Sequence, residues 1–453
     1  MVLLVLLLLS GWTTEVVTTT ARELIGPPLA IDSYGMPYVL VHSDQPGTGY
    51  LILFYKSDGN WIADTLECSA MPDCRDIAID RSGNVWCVYY LYSPSGSCRY
   101  LIVASKESHA WQKDTVEISS GYDFFSNSIT TDTLGRPHIT YDFAQYGYYG
   151  YLRDSIWCKE IIDSNATYNY LYCAIDADHQ NRLHVGYYQF GQYSGPIWHA
   201  EKKDNLWYCE VVESPGSVNM WWPTSIRAGQ GRVGIAYTNP DPNSYRLKLA
   251  HNNGTAWEID TLTSGFGCIW NQKALDIDAL GRYWLSYTSG TVPIVAFREV
   301  NDWHICSLPP LVPPLTRGRS GAIRVDSENK IHLTRLVAND DYSYREIHYI
   351  YGTPEAIEEN KVQNLKTESV KLKISPNIVY TNAQIRYTIP ETQRITLDIY
   401  DITGRRINAI IDGTVKQGSY TYNLSSSALG QGVYFLVLAT ERKIERQKLM
   451  IVR

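Results

Sequence analysis

Apolar and polar residues alternate with a period of two along most of this 453-residue chain, in short runs bounded by Gly, Asp, Asn or Ser. Such runs predict half-buried β-strands joined by tight turns. The segment SITTDTLGRPHITY (128–141) shows the unit: an apolar strand, an Asp, a Gly three residues later and a second alternating strand. Long aliphatic helical stretches are missing, so the pattern predicts an all-β protein.

The same unit returns along the first three quarters of the chain. Each copy has a Gly or Asn anchor three residues after the Asp, except the fifth, which lacks the Asp and is one residue shorter there. Successive anchors are 48, 52, 46, 50, 50 and 48 residues apart. The Asp can accept hydrogen bonds from its own turn, and Gly or Asn tolerates the positive φ of a tight hairpin. A repeat of about fifty residues predicts a modular architecture. The anchors are Gly35, Gly83, Gly135, Asn181, Gly231, Gly281 and Asn329.

A second half completes each unit, with one more strand that leads into a strand beginning with Trp. One unit is therefore four short antiparallel strands, and seven in a row predict a seven-bladed β-propeller over residues 11–352. The Trp residues are Trp61, Trp111, Trp157, Trp207, Trp257 and Trp303.

The seventh unit stops at Gly352 with three strands and no Trp strand, while the chain starts with WTTEVV at Trp12. Trp12 precedes Gly35 by 23 residues, and Trp61 precedes Gly83 by 22. We therefore expect the N-terminal strand to complete the last blade and to close the ring, which removes exposed sheet edges.

The two ends of the sequence differ from the repeats. Residues 1–10 are apolar but too short to span a bilayer, and they predict part of a signal peptide, with no transmembrane segment in the mature chain. Residues 353–370 are polar and predict a linker. Residues 371–453 alternate again, with turns at TGR, KQGS and GQG, and predict a small immunoglobulin-like β-sandwich.

Both parts resemble known families. The repeat resembles those of secreted propellers in the sialidase-like and lectin-like superfamilies. The last eighty residues resemble the C-terminal sorting domain of the Por (type IX) secretion system, which implies secretion or attachment at the outer cell surface and a partner in the secretion machinery. Ile378 stands where that family often has a second Pro. The matching residues are Ser375, Pro376, Asn377, Ile399, Tyr400, Asp401, Gly404, Arg405, Gly418, Leu429 to Gly432, Val433, Tyr434 and Lys448.

Charge and cysteine content argue against two classes of ligand, nucleic acid and structural zinc. The net charge is −7, yet residues 371–453 carry twelve Lys and Arg against six Asp and Glu, so the repeat region is acidic. An acidic main domain argues against nucleic acid. Nine Cys without a Cys-x-x-Cys pair argue against structural zinc, and Cys68–Cys74 and Cys87–Cys98 are the nearest candidate disulfides. We expect no metal and no cofactor.

No catalytic constellation stands out. The Ser-x-Asp-x-Gly-x-x-Trp turn motif of sialidases is not found, and Arg75, Arg317 and Arg319 lie in predicted loops. His138, His184 and His332 follow their anchors by three residues, where other units place Tyr38, Trp86 and Trp284. This interchange favours a packing position with a hydrogen-bonded polar tip over a metal ligand. The repeated Trp favours packing of one blade on the next.

The loops that enter the innermost strands are rich in aromatic residues beside Asn, Ser and Asp. In a propeller these loops surround one mouth of the central channel, where rings suit the apolar faces of sugars and polar side chains suit their hydroxyls. The alternative is that the rings pack between blades. The candidate ligand-binding residues are Tyr122, Phe125, Tyr168, Tyr170, Trp221, Trp222 and Trp270.

Three functions remain open from the sequence. The favoured one is a secreted or surface binding protein that holds a glycan or another cell-surface partner. The second is a glycan-cleaving enzyme, a sialidase-like glycosidase or a polysaccharide lyase, which would need converging carboxylates or a Tyr/His pair near an arginine. The third is a structural adhesion component.

Overall fold

A computed structural model describes most of the chain, which divides into two compact units, Met1–Lys361 and Val362–Arg453. The predicted signal peptide, nearly all of the predicted linker and several loops lie outside the described residues. The described residues are 12–19, 26–45, 48–69, 72–93, 95, 97–107, 110–120, 126–144, 146–163, 171–189, 196–214, 223–241, 244–252, 254, 256–263, 266–299, 302–306, 308–353, 371–389, 393–416, 418–440 and 444–452.

Seven antiparallel sheets form the described part of the first unit, and in six of them the strands follow one another in sequence order. We call the sheets blades 1 to 7. Blade 1 comprises Leu29–Ile31, Pro37–Gln45, Thr48–Ser57 and Asn60–Ser69. Blade 2 comprises Pro72–Ile79, Val85–Tyr92, Arg99–Lys106 and Trp111–Ser119. Blade 3 comprises Asn127–Thr131, Pro137–Phe143, Tyr146–Arg153 and Ile156–Ile161.

The next three blades repeat the order, with one irregularity in blade 6, whose innermost strand is split in two. Blade 4 comprises Leu171–Ala177, Leu183–Gln189, Ile197–Lys203 and Leu206–Glu213. Blade 5 comprises Ser225–Gly229, Arg232–Asp241, Ser244–Asn252 and Trp257–Thr261. Blade 6 comprises Gly267–Cys268, Leu275–Ile277, Tyr283–Ser289, Val292–Glu299 and Asp302–Cys306.

Blade 7 joins the two ends of the propeller. Its first three strands are Arg317–Val325, Ile331–Ala338 and Arg345–Gly352, and its outer strand is the N-terminal Thr13–Thr19. The pairing is antiparallel, with Thr13 opposite Tyr351 and Glu15 opposite Tyr349. The innermost strands of successive blades contact one another, and that of blade 1 contacts that of blade 7. The prediction of a seven-bladed propeller closed by the N-terminal strand is confirmed.

The turn between the first two strands of a blade has the predicted chemistry. In blade 1 the carboxylate of Asp32 accepts hydrogen bonds from the backbone N–H groups of Tyr34 and Met36, both at 2.9 Å. Gly35 has φ of 76°, and Asn181 takes the equivalent position in blade 4 with φ of 62°. These residues have the positive φ that the Gly or Asn anchors predict.

A recurring hydrogen bond joins neighbouring blades at the Trp strand. The indole Nε1 of a Trp donates to a carboxylate on the outer strand of the preceding blade, and that acid lies three residues after the preceding Trp. The pairs are Trp61 with Glu15 at 3.1 Å, Trp111 with Asp64 at 3.1 Å, Trp157 with Asp114 at 3.2 Å, Trp257 with Glu210 at 3.0 Å and Trp303 with Asp260 at 3.1 Å.

The N-terminal motif Trp-x-x-Glu therefore belongs to this series. Glu15 accepts the indole hydrogen bond of Trp61 in blade 1, as Asp64 accepts that of Trp111 in blade 2. Blade 6 has Cys306 where the acid would stand, and Trp12 in blade 7 has no hydrogen-bond partner for Nε1 in the described part of the chain. Trp12 is nevertheless 6% exposed and packs in one core cluster with Trp284 of blade 6.

The second unit is a β-sandwich. One described sheet comprises Lys371–Ser375, Asn382–Ile389 and Gly418–Ser425. The other comprises Ile378–Val379, Gln393–Asp401, Arg406–Val415, Gly432–Thr440 and Ile444–Ile451, and a short 3₁₀ helix, Ser426–Ala428, precedes its fourth strand. One buried cluster takes side chains from both sheets, including Ile385 and Leu436. This arrangement confirms the predicted sandwich.

Two further features bear on export. Eight cysteines in the described part of the chain are free thiols, including Cys68, Cys87 and Cys98, so neither candidate disulfide is formed. Among the described residues, no helix has the length and apolar character that a bilayer span requires.

Candidate functional site

The central channel has two chemically different ends. Each innermost strand begins at one end of the channel and runs to the turn between the first two strands of its blade at the other end. We call these ends the loop mouth and the turn mouth. The sequence predicts a ligand at the loop mouth, whereas the charged channel side chains that the structure describes lie along the axis and at the turn mouth.

Of the seven aromatic residues predicted at the loop mouth, Trp270 is described. It lies in residues 269–274, which leave the sheet between the two halves of the split innermost strand of blade 6. The other six lie outside the described residues: Tyr122, Phe125, Tyr168, Tyr170, Trp221 and Trp222.

Trp270 is half-buried, and the guanidinium of Arg319 lies over its ring, with Cζ 4.0 Å from the centroid. A cation at this position is attracted by the ring quadrupole, by about 0.5–2 kcal/mol. Arg319 lies in the first strand of blade 7, not in a loop as predicted, and so does Arg317. Arg317 forms an ion pair with Asp340 at 3.2 Å instead, so the two arginines serve different contacts.

Lys273, from the same irregular segment, crosses the axis. Its ammonium donates to the backbone oxygen of Ile129 in blade 3 at 2.6 Å and lies 3.3 Å from the carboxylate of Asp76 in blade 2. Asn271 supports this conformation, since its Oδ1 accepts from the N–H of Lys273 at 2.8 Å and its Nδ2 donates to Gly26 O at 3.0 Å. Burial lowers the pKa of Lys273, and the charge of Asp76 opposes that shift.

A ring of side chains, one from the innermost strand of each blade, lines the channel between Lys273 and the turn mouth. They border a cavity of about 610 Å³. In blades 1 to 3 the ring residues are small and uncharged, whereas in blades 4 to 7 acidic and basic residues alternate. In blade order they are Ala30, Ala78, Thr130, Asp176, Arg227, Asp276 and Arg324.

Arg227 is held between two carboxylates of this ring. Its Nε donates to Asp276 at 2.5 Å, and its Nη1 lies 3.1 Å from both oxygens of Asp176. Each carboxylate also accepts a backbone N–H from the following blade, Asp176 from Ala228 and Asp276 from Val325, both at 2.8 Å. The two acids raise the pKa of Arg227, and together the contacts tie blades 4, 5, 6 and 7.

Arg324 differs from Arg227. Its Nη1 donates to the backbone oxygens of Ile323 at 2.7 Å and Lys273 at 3.3 Å, and no carboxylate of the described chain lies within ion-pair distance. Burial lowers its pKa, and the charge of Asp276 partly opposes this shift. In the ring Arg324 is followed by Ala30, so it lies at the edge of the part lined by small side chains.

Sequence reasoning missed this ring, although the signal is present. In blades 4, 6 and 7 a charged residue stands two positions before the turn Asp in an otherwise apolar strand: Asp176 before Asp178, Asp276 before Asp278 and Arg324 before Asp326. A charge in a strand buried on both faces is costly unless it is paired or faces a polar cavity. The repeat alignment places these residues at equivalent positions.

The recurring histidines have the polar partners that the packing interpretation expects. His138 Nδ1 is 2.8 Å from the hydroxyl of Tyr149 in the same blade, and His184 Nδ1 is 3.1 Å from His199 Nε2. His332 Nε2 lies 2.9 Å from the carboxylate of Asp326. Among the described residues there is no group of three or more His, Cys, Asp and Glu side chains arranged to hold a metal ion.

A second cavity, of about 920 Å³, lies between blades 3 and 4. Most of the basic side chains around it are paired: Arg136 with Asp132, Arg182 with Asp178 and Lys202 with Glu160. The surface therefore offers less uncompensated charge than its basic residues suggest.

Three comparisons place the chain among known proteins. Residues 373–452 match a family model described as a secretion system C-terminal sorting domain. A comparison with curated protein sequences gives no match.

Solved structures with a similar fold share little sequence. The chain is 9% identical to the polysaccharide lyase Uly1, with a TM-score of 0.50, covering 74% of this chain and 91% of the lyase. It is 11% identical to PorZ, a type-IX secretion system surface component of Porphyromonas gingivalis, with a TM-score of 0.37, covering 94% of this chain and 70% of PorZ. It is 10% identical to an α-L-arabinanase of Penicillium chrysogenum, with a TM-score of 0.42, covering 75% and 98%.

At these identities the likeness to solved structures concerns the fold alone. The sorting-domain match concerns the C-terminal unit, and it agrees with the resemblance that the sequence shows at Ser375, Pro376 and Asn377. The chain is thus a propeller followed by a secretion system C-terminal sorting domain, and it is secreted or located at the outer cell surface.

Proposed function

We propose that this protein binds glycans at the loop mouth of its propeller and is exported through its C-terminal sorting domain. The observation that carries the proposal is the half-buried Trp270 with Arg319 over its ring at 4.0 Å. This pair lies where the innermost strand of blade 6 is interrupted, and it combines an aromatic surface with a group of hydrogen-bond donors.

The chemistry of such a pair suits a sugar. The apolar face of a pyranose can stack on the indole face that Arg319 does not cover, and a guanidinium can donate N–H groups to hydroxyl oxygens. Arg319 also restricts the ring before any ligand arrives, which reduces the entropy lost on binding. Tyr122, Phe125, Tyr168, Tyr170, Trp221 and Trp222 remain predicted contributors from the neighbouring loops.

A glycan array probed with the full chain, followed by calorimetric titration of each hit, tests the proposal. We expect Trp270→Ala to weaken binding by roughly 10- to 100-fold, as removal of one stacked aromatic costs about 1.5–3 kcal/mol. Tyr208→Ala is the matched control, because Tyr208 is 54% exposed on the outer strand of blade 4, away from the channel. An empty array, or equal binding by native and Trp270→Ala proteins, would refute the proposal.

Glycan cleavage is the second candidate, and one observation favours testing it. Asp176 and Asp276 face the same cavity on either side of Arg227, and paired carboxylates are the usual groups of glycosidases. Both are already held by Arg227 and by a backbone N–H, which favours a structural or binding role. Turnover in a panel of polysaccharide digestions, abolished by Asp176→Asn or Asp276→Asn, would favour the enzyme. If the protein neither binds nor cleaves a glycan, the structural adhesion component is the function that remains.

A further inference from the structure

The turn-mouth end of the channel is a pocket closed at its inner end by Lys273. The Lys273 side chain reaches from blade 6 to Ile129 and Asp76 on the opposite side of the axis, and it is 5% exposed. The cavity in front of it, about 610 Å³, has the size of a small-molecule site. A ligand therefore has one way in, between the Asp turns.

The charges around this pocket are compensated unequally. Asp176 and Asp276 share the single positive charge of Arg227, and Asp76 pairs with Lys273. Arg324 has backbone acceptors on one of its terminal nitrogens and no carboxylate within ion-pair distance among the described residues. Arg324 is partly exposed and lines the cavity, so a ligand carboxylate can add charge-assisted hydrogen bonds to those that its backbone acceptors already make.

The open part of the pocket lies next to this cation. Ala30 and Ala78 follow Arg324 around the ring, and both lie in the lining of the cavity. Their small side chains leave the space that longer residues fill in blades 4 to 7. An anionic group paired with Arg324 would thus have room for the rest of its molecule over blades 1 to 3.

We propose that this pocket binds an acidic sugar residue, with its carboxylate on Arg324 and its hydroxyls toward the turn mouth. A planar guanidinium matches a carboxylate through two parallel hydrogen bonds. The rim supplies an acceptor for hydroxyl donors, because Asp80 accepts three hydrogen bonds in its own turn, which leaves lone-pair capacity on Oδ2. A peptide carboxyl end carries few such donors, so a hydroxyl-rich acid fits better.

This site is separate from the loop mouth and does not rest on the glycan proposal made for Trp270. Lys273 stands between the two ends, and the residues involved differ. Binding at one end can therefore be lost while binding at the other is kept.

Titration of the full chain with D-glucuronate and D-galacturonate, beside uncharged D-glucose and D-galactose, tests the inference. We expect the uronates to bind at least tenfold more tightly than the neutral sugars, and their affinity to fall as salt is added. Arg324→Gln should reduce uronate affinity by roughly 10- to 100-fold, from the worth of a charge-assisted hydrogen bond, whereas Arg324→Lys should keep part of it.

Two further variants distinguish a loss of binding from a folding defect. Ala78→Met fills the open part of the pocket without a change of charge and should abolish uronate binding. Arg232→Gln is the matched control, since Arg232 lies on the turn face, donates to the backbone oxygen of Gly281 and is not part of the pocket lining. Thermal melts verify that each variant is folded.

Several results would overturn the inference. These are equal binding of uronates and neutral sugars, no uronate binding by the native chain, or unchanged affinity in folded Arg324→Gln and Ala78→Met proteins. If N-acetyl-alanine binds as tightly as a uronate, the ligand of this pocket is a peptide carboxyl end and not a sugar. Trp270→Ala should leave uronate binding at this pocket unchanged, and its loss there would merge the two sites into one.

Discussion

Ring closure through the N-terminal strand makes a quantitative prediction at Glu15. Its carboxylate lies 2.6 Å from the ammonium of Lys56 and 3.1 Å from Nε1 of Trp61, both in blade 1. The side chains of Lys56 and Glu15 are 15% and 24% exposed, so the ion pair is largely shielded from water. Glu15→Ala removes both contacts and leaves Lys56 against the rings of Trp61 and Tyr349.

The magnitude follows from these contacts. Both contacts are hydrogen bonds to a charged carboxylate, and such bonds contribute about 1.5–3 kcal/mol each when they are buried. Partial exposure lets water replace some of this, so we expect a loss of about 2–3 kcal/mol in the free energy of unfolding. With an entropy of unfolding of about 2.1 cal/mol/K per residue, the propeller should melt about 3–4 °C lower.

Asp64→Ala is a matched control within the same chain. Asp64 forms an ion pair with Lys106 and accepts from Nε1 of Trp111 at 3.1 Å, with exposures of 17% and 25% for the ion pair. That seam joins blades 1 and 2, which are consecutive in sequence, whereas the Glu15 seam joins the two ends of the propeller. If the closing seam equals the others, the two variants should melt within about 1 °C of each other.

Scanning calorimetry or a dye-based melt measures both variants, and Glu15→Gln separates charge from hydrogen bonding. The reasoning fails if Glu15→Ala melts at the native temperature while Asp64→Ala is destabilised, since the N-terminal strand would then not be part of the ring. A loss for Glu15→Ala several times that for Asp64→Ala would show instead that the closing seam limits the stability of the whole propeller.

Three other outcomes follow from buried groups. Asp76→Ala should destabilise the propeller by about 3–5 kcal/mol because it leaves the Lys273 ammonium buried without its carboxylate. Lys273→Met should cost less, because Asp76 keeps the hydrogen bonds from the Ser128 hydroxyl and the N–H of Ile129, and urea titration measures both variants. Burial lowers the pKa of His199, His332 and His348, so below pH 6.5 the unfolded chain binds more protons than the folded one. The melting temperature should therefore fall from pH 7.5 to pH 5, and it should fall less steeply in His332→Gln. A melting temperature that does not change with pH would contradict this. The exposed Cys68 should react with iodoacetamide first, while Cys173, whose pKa burial raises to about 12, should stay unmodified in the folded protein by mass spectrometry.

The fold could be predicted because its causes are local and repeated. The Asp turn needs a carboxylate and a residue that tolerates positive φ three positions later, and both can be read from the sequence at Asp32 and Gly35. An acid stands three residues after each Trp of the series except Trp303, and the series includes Glu15. Seven equivalent units and a missing strand then leave a closed ring, in which the N-terminal strand completes the last blade.

The interior of the channel could not be predicted in the same way. Which side chains meet at the axis depends on strand positions that differ by one or two residues between blades, as the shorter fifth turn before Gly231 shows. Lys273 and Ile129 are 144 residues apart in sequence, and only the split strand of blade 6 brings them together. The aromatic loops were ambiguous for another reason, since 35 tyrosines are spread over the whole chain.

Departures from the repeat mark where function should be sought. Positions that hold the blades together have the same chemistry in most blades, as the turn acids and the Trp pairs show, although blade 5 has no turn acid and Nε1 of Trp207 has no hydrogen-bond partner among the described residues. Blade 6 breaks the pattern twice, with Cys306 in place of an acid and with an innermost strand that opens between Cys268 and Leu275. That opening places Trp270 at one mouth and Lys273 across the axis. An interruption that removes strand pairing needs other contacts to offset the lost stability. In blade 6 the contacts that it creates are those of Trp270 and Lys273, which shape both proposed sites.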